Sequence, residues 1–198
     1  MVNRFHFSHQ EDGSDSSTLQ AGSFLVANPA LTENPFEKSV IFLLQYSHSG
    51  VFGAVLNRPA DLESLTSWKE VSGLNFSDRS IVNGGPVGGP VLALHHQKQI
   101  AEVEISGGVC LSVDAQAFKT LSERDGSEYR IVLGLAAWSI SQLQSEISAG
   151  IWYQVPTDPM HVFDEPGMMW QNFIREYGRQ TLNQIVGERH VPIDPRLN

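Results

Sequence analysis

Val40-Ile41-Phe42-Leu43-Leu44-Gln45-Tyr46, then Ser47-His48-Ser49-Gly50, then Val51-Phe52-Gly53-Ala54-Val55-Leu56-Asn57: two apolar runs joined by a short polar turn decide how this chain folds. The first run is nearly continuous and β-branched at its start, which suits a central strand buried on both faces. The four-residue turn returns the chain as a second strand, so the pair reads as a β-hairpin. Arg58-Pro59 stops it, because proline has no N–H to give to a ladder. Upstream lies Asn34-Pro35-Phe36-Glu37-Lys38-Ser39, a loop, and downstream Asn83-Gly84-Gly85-Pro86-Val87-Gly88-Gly89-Pro90, a glycine-rich turn.

Outward from the hairpin, apolar segments at residues 23–27, 80–82, 91–95, 109–112, 129–135 and 151–155 read as strands. Residues 100–105 read as an edge strand, and 161–163 as a short strand. Helices are expected after good N-cap residues. Asp61 precedes one that presents Leu62, Leu65 and Trp68 on one face. Asp114 precedes residues 115–124, with Phe118 and Leu121 inward. Residues 141–148 carry Leu143 and Ile147 inward, with Gly150 past the end. Asp164 caps a last helix that has Pro166 in its first turn and stops at Gly178. Residues 181–187 add a turn or two. Hairpins come early and single helices sit between later strands. The expected fold is therefore α+β: one domain over 19–198, with a mixed or largely antiparallel sheet or partial barrel flanked by helices. The strands bordering the glycine turn are expected beside the hairpin in one sheet. Residues 1–18 are polar around Asp12-Gly13-Ser14-Asp15 and read as a flexible tail.

Composition narrows the function. The 198 residues carry 13 Lys and Arg against 22 Asp and Glu, a net charge of −9. That balance opposes attraction to phosphate backbones and anionic lipid, so direct nucleic-acid binding is not expected. No apolar run reaches the ~18 residues of a membrane span. One cysteine, Cys110, cannot form an internal disulfide, and a cytoplasmic protein is the expectation. A monomer or weak homo-oligomer fits.

Chemistry is sparse. The glycine turn lacks the Gly-Lys-Ser/Thr of a phosphate loop, and a strand rather than a helix follows it, so it matches no nucleotide-binding fingerprint. Its glycines serve either a close backbone approach or a binding groove in which bare N–H groups hold a small anion. Arg58, at a strand end, could add a bidentate partner to that groove. His95 and His96 are adjacent on a strand and point to opposite faces, so they do not share a metal. Cys110 with His95 as a hydrolase pair is the enzymatic alternative. Its apolar strand setting speaks instead for an inert thiol. Gln142 and Glu146 lie one helical turn apart, just beyond Trp138.

Several segments resemble the bacterial YqgE/AlgH family: Leu19-Gln20-Ala21-Gly22-Ser23-Phe24-Leu25-Val26-Ala27, Phe36-Glu37-Lys38-Ser39-Val40, Gly53-Ala54-Val55-Leu56-Asn57-Arg58-Pro59, Asn83-Gly84-Gly85-Pro86-Val87 and Gly134-Leu135-Ala136-Ala137-Trp138, then Gln142-Leu143 with Glu146, and Trp152. The family usually shows Gly-Tyr-Ala-Gly-Trp where this chain has Leu135 and Ala137, and Gln-Leu-Glu where it has Gln144. The resemblance implies a single α+β domain of cytosolic bacterial type without an established activity or assigned catalytic residues. Members are often labelled transcriptional regulators by association with alginate control, yet the chain shows no helix-turn-helix and no basic helix. The reading is thus a non-enzymatic regulatory or binding protein with no catalytic residue, no metal and no cofactor. Its partner is a small anion or a protein, and its candidate binding residues are Asn57, Arg58, Gly84, Gly85, Pro86, Trp138, Gln142 and Glu146. A DNA-associated regulator and the Cys110/His95 hydrolase are the alternatives.

Overall fold

The computed structural model describes residues 19–32, 34–74, 76–77, 80–123 and 128–188, with side chains described as far as 185. The expectations for residues 1–18 and for the end of the chain from Pro192 lie outside the described residues. The strands are β1 (Phe24–Ala27), β2 (Val40–Ser47), β3 (Gly50–Val55), β4 (Ile81–Asn83), β5 (Leu92–His95), β6 (Val103–Ser106), β7 (Val109–Ser112), β8 (Tyr129–Leu133), β9 (Ala136–Trp138) and β10 (Trp152–Gln154). The helices are α1 (Leu62–Ser72), α2 (Ala115–Ser122), α3 (Ile140–Ser148) and α4 (Pro166–Glu188).

These elements build an α+β domain with two five-stranded sheets and no closed barrel. The first sheet, β10-β1-β2-β3-β9, is antiparallel throughout. The second, β4-β8-β5-β7-β6, is mixed, with β4 and β8 parallel. Side-chain alternation explains why the central strands look apolar throughout. Phe24, Val26 and Phe42 face Leu92, Leu94, Leu111 and Val132 across the inter-sheet core, where Met169 and Phe173 of α4 join them. Their neighbours Leu25, Ile41 and Leu43 face the other way, onto Leu143 of α3. The outer face of the second sheet, Ile81, Ala93 and Ile131, is covered by Phe76 and by Phe118 and Leu121 of α2. Each fully buried Leu or Phe contributes about 1.5–3 kcal/mol.

Several expectations change. The hairpin β2–β3 is present, but the strands bordering the glycine turn are not its sheet partners: β4 and β5 belong to the second sheet. The regular part of the strand expected over 129–135 ends at Gly134, as expected: β8 stops at Leu133, and the φ of +76° at Gly134 turns a corner. Beyond it β9 begins, in the other sheet. Residues 98–100 form a 3-10 turn before β6, so the edge strand is shorter than expected. Residues 159–163 are a 3-10 turn rather than a strand. Asp164 does not cap α4, which starts two residues later, and instead accepts a hydrogen bond from His161 Nδ1 at 2.8 Å. Helix α4 runs through Gly178 to Glu188. Glycine costs about 1 kcal/mol in a helix interior, and here the helix is tied beyond it by Gln180 Nε2, which donates to Pro156 O at 2.9 Å. Leu62 was expected inward, but no residue of α1 is buried and Leu62 is 80% exposed. The helix is held through the half-buried Leu65 and Trp68. Its N-cap is as expected, with Asp61 accepting from Ser64 N–H, and Gly73, left-handed, ends it.

Candidate functional site

The glycine turn stitches the two sheets together. Gly84 O accepts from Val55 N–H of β3 at 2.9 Å, and Gly84 N–H donates to Leu133 O of β8 at 2.7 Å. Val87 and Leu135 exchange both of their backbone bonds at 2.8 Å. Gly85 N–H donates to Asn83 Oδ1 at 3.1 Å. The backbones pass so close that a Cβ on Gly84 would lie 2.3 Å from Gly134 O. One on Gly85 would lie 2.4 Å from the Leu135 carbonyl. Glycine is therefore needed here for close approach. The N–H groups that an anion would use are already bonded, so the expected backbone groove for a small anion gives way to a seam.

Asn57 and Arg58 stand beside this seam. Asn57 Oδ1 accepts from Val40 N–H at 2.8 Å and its Nδ2 donates to Lys38 O at 2.7 Å, extending the β2–β3 ladder with a side chain. Arg58 O accepts from Asn83 N–H at 2.8 Å, which places the residue directly against the turn. Its half-buried guanidinium turns toward the Asn34–Ser39 loop, where Nη2 donates to Glu37 O at 3.3 Å. Burial pulls the Arg58 pKa down and Glu37 opposes that shift. Among the described residues no carboxylate closes an ion pair on it. Pro86 and Val87 are exposed at the same rim.

Trp138, Gln142 and Glu146 come together, and the geometry adds Trp152 and Phe36. The edge strands β9 and β10 each present a tryptophan, and α3 crosses the sheet between them. Trp138 Nε1 donates to Glu146 Oε2 at 3.0 Å, and Trp152 Nε1 donates to the same oxygen at 2.7 Å. Gln142 Nε2 donates to Glu146 Oε1 at 2.9 Å. The two indoles meet edge to face at 6.1 Å between ring centroids, and Phe36 sits 6.0 Å from one and 5.7 Å from the other. The tryptophans are buried, while Glu146 is half-buried and Gln142 exposed. One carboxylate thus ties both edges of the first sheet to its crossover helix. Phe36 links this cluster to the loop that receives Arg58.

The Cys110–His95 alternative has its residues paired in register across β5 and β7, but inside the protein. Both are 0% exposed. Gln97 N–H donates to His95 Nδ1 at 3.1 Å, which assigns the ring proton to Nε2 and makes Ser112 Oγ its acceptor at 3.0 Å. Ser112 Oγ passes a bond on to Ile100 O at 2.6 Å. Burial, helped by the neighbouring His96, lowers the His95 pKa to about 4, and burial raises the Cys110 thiol. The pair offers neither a thiolate nor access to a substrate.

Sequence reading missed Arg130, which is 3% exposed in β8. Its Nε donates to Val162 O at 2.8 Å, Nη2 to Asp164 O at 2.6 Å and Nη1 to Leu56 O at 3.5 Å. The 3-10 turn that replaces the expected strand is wrapped around this guanidinium. Burial lowers its pKa to about 10, against the pull of Glu165 and Asp164. A charged residue inside the apolar run Tyr129-Arg130-Ile131-Val132 was the available signal, since a buried arginine requires acceptors.

The expected family segments coincide with these contacts: the Phe36–Lys38 loop, the Asn57–Pro59 strand end, the glycine turn and the Trp138–Trp152 crossover. The AlgH-like family model matches residues 24–182. A protein of Beijerinckia indica designated UPF0301 is 32% identical over 174 residues, covering 79% of this chain and 85% of its own. One of Streptomyces avermitilis with the same designation is 31% identical over 190 residues, covering 89% and 94%. The solution structure of the AlgH protein from Pseudomonas aeruginosa shares the fold, with a TM-score of 0.64 and 24% identity over 90% of this chain and 97% of that one. A crystal structure from Corynebacterium diphtheriae does so with a TM-score of 0.65 and 21% identity over 81% and 88%. With sequence, fold and relatives in agreement, this chain belongs to the AlgH-like family.

Proposed function

We propose that this AlgH-like protein is a non-enzymatic, cytoplasmic binding protein of regulatory type. Its partner meets the rim formed by the Asn34–Ser39 loop, the Arg58 guanidinium and the exposed Pro86–Val87 corner. The observation that carries the reading is Arg58. It is fixed by its own backbone against the seam, half-exposed, and bonded by one guanidinium nitrogen to one carbonyl. A planar fork of donors in that state suits a carboxylate on a partner protein. The occupied amides of Gly84 and Gly85 turn the reading away from a small anion and toward a protein. The sealed Cys110 and neutral His95 support a non-catalytic role. The net charge of −9 gives the duplex-DNA alternative no electrostatic support.

The test is site-specific photo-crosslinking from Pro86 in cells that produce the protein. The expected result is one dominant crosslinked protein that disappears when Arg58→Ala is added. An unchanged crosslink in that variant would refute the assignment of the rim to Arg58.

A further inference from the structure

We propose that Glu146 and Gln142 form the recognition point for a primary ammonium group on an alkyl stem, the chemistry of a lysine side chain or of a free alkylamine. This goes beyond the Arg58 rim, to which the Glu146 cluster is joined through Phe36 against both indoles. Three donors hold the Glu146 carboxylate, and all are neutral: two indoles and one amide. No described ion pair reaches it. A half-buried carboxylate is therefore set rigidly by its neighbours with its negative charge uncompensated.

Lone-pair counting defines what the site accepts. Oε2 takes both indole protons and is full. Oε1 takes one amide proton and keeps one open position. Gln142 directs its amide nitrogen at Glu146, which leaves its own carbonyl oxygen on the exposed outer face of α3. The two acceptors lie one helical turn apart on α3, Gln142 exposed and Glu146 half-buried. A guanidinium prefers both oxygens of a carboxylate in a parallel fork, and a filled Oε2 denies it that geometry. Calcium and magnesium require six or more oxygen ligands, far beyond the two on offer. An ammonium is a compact donor of three protons and needs only separate acceptors, with water for the third. Phe36, half-buried against the two indoles, supplies an apolar flank for the stem. The acid-rich chain also favours the approach of a cation.

The indole protons of Trp138 and Trp152 report directly on this carboxylate, so the test is an NMR titration of the four indole N–H signals. The probes are N-acetyl-lysine methylamide, putrescine and, as an uncharged control, N-acetyl-norleucine methylamide. Saturable shifts of the Trp138 and Trp152 signals by both amines, with Trp68 and Trp170 unmoved, are expected. Saturation by putrescine alone supports the site with a free amine as its source. Saturation by the lysine probe alone supports it with a protein lysine. Glu146→Gln keeps an oxygen for the indoles and is expected to weaken the amines at least tenfold. Gln142→Leu, at an exposed position that poses no risk to folding, is expected to weaken them as well. The proposal is overturned if neither amine saturates, if the norleucine control shifts the same signals equally, or if both variants bind as the parent does. The titration needs no partner protein, so its outcome is separate from that of the crosslink at Pro86.

Discussion

The glycine seam on one side, and Arg58 and Glu146 on the other, use their polar groups in opposite ways. At the seam every backbone group of Gly84 is bonded to one sheet or the other, and the chains pass within the space of a missing Cβ. Arg58 at the rim has one described acceptor, and Glu146 has only neutral donors. The seam is what a loop becomes when its polarity is consumed by architecture. The rim is what remains available for recognition. A glycine-rich motif is therefore a poor guide to chemistry until its amides have been traced to their partners.

The comparison breaks most visibly at the seam. Gly84→Ala places a methyl against Gly134 O and Val132 Cγ1, and the former cannot swing aside. Urea unfolding is expected to show a loss of about 4 kcal/mol. Gly88→Ala, in the same turn with nothing within 4 Å of the added atom, is expected to stay within about 0.5 kcal/mol of the parent. Next comes Arg130→Met, which leaves the carbonyls of Val162, Asp164 and Leu56 without their donor. That change is expected to cost about 3 kcal/mol, mostly from stranded acceptors.

His95 gives a smaller effect that follows pH. Its folded pKa is about 4 against an ordinary 6.5, so the unfolded chain takes up the proton first. Stability is therefore full above pH 6.5 and declines as pH falls toward 4. At about 1.4 kcal/mol per pKa unit, the shift from 6.5 to about 4 bounds this contribution at roughly 3 kcal/mol, lost in full only below pH 4. Unfolding midpoints measured across that window should fall in the parent and hold level for this contribution in His95→Gln. The smallest effect is at the rim. Arg58→Ala removes one long hydrogen bond from a half-exposed group and is expected to change stability by about 0.5 kcal/mol. A loss as large as that of Gly84→Ala would place Arg58 in the architecture instead.

Much of the fold was legible from local signals. Asp61 and Asp114 each accept from a backbone N–H of the first helical turn, as short polar residues before apolar periodicity do, whereas Asp164 does not cap α4. The hairpin from Val40 announced itself through two apolar runs and one turn. The division into two sheets was not legible, because it depends on where the chain turns at Gly134 and crosses at Gly84. Either glycine could equally have stayed within one sheet. The candidate site was half legible. Gln142 and Glu146 fall one turn apart on any helix, so their pairing follows from spacing. Trp152 joins them only because α3 crosses the whole first sheet, bringing one edge strand's indole to the other's. A buried indole N–H requires an acceptor, and Glu146 stands between Trp138 and Trp152 in the chain. That requirement was the one local clue. Arg130 hid inside a strand because its partners are carbonyls from distant segments, which no side-chain pattern reveals.

The central claim is that the glycine turn is closed architecture and that the open chemistry lies at the rim. Native-state hydrogen exchange at the Gly84 amide, read by NMR with and without inorganic phosphate, tests it most directly. The account expects this amide, bonded to Leu133 O at 2.7 Å, to exchange only through global unfolding. Its signal and that of Gly85 should stay in place as phosphate is added. Exchange at the rate of an open loop, or a saturable phosphate shift at these two amides, would show a turn with free donors and contradict the account.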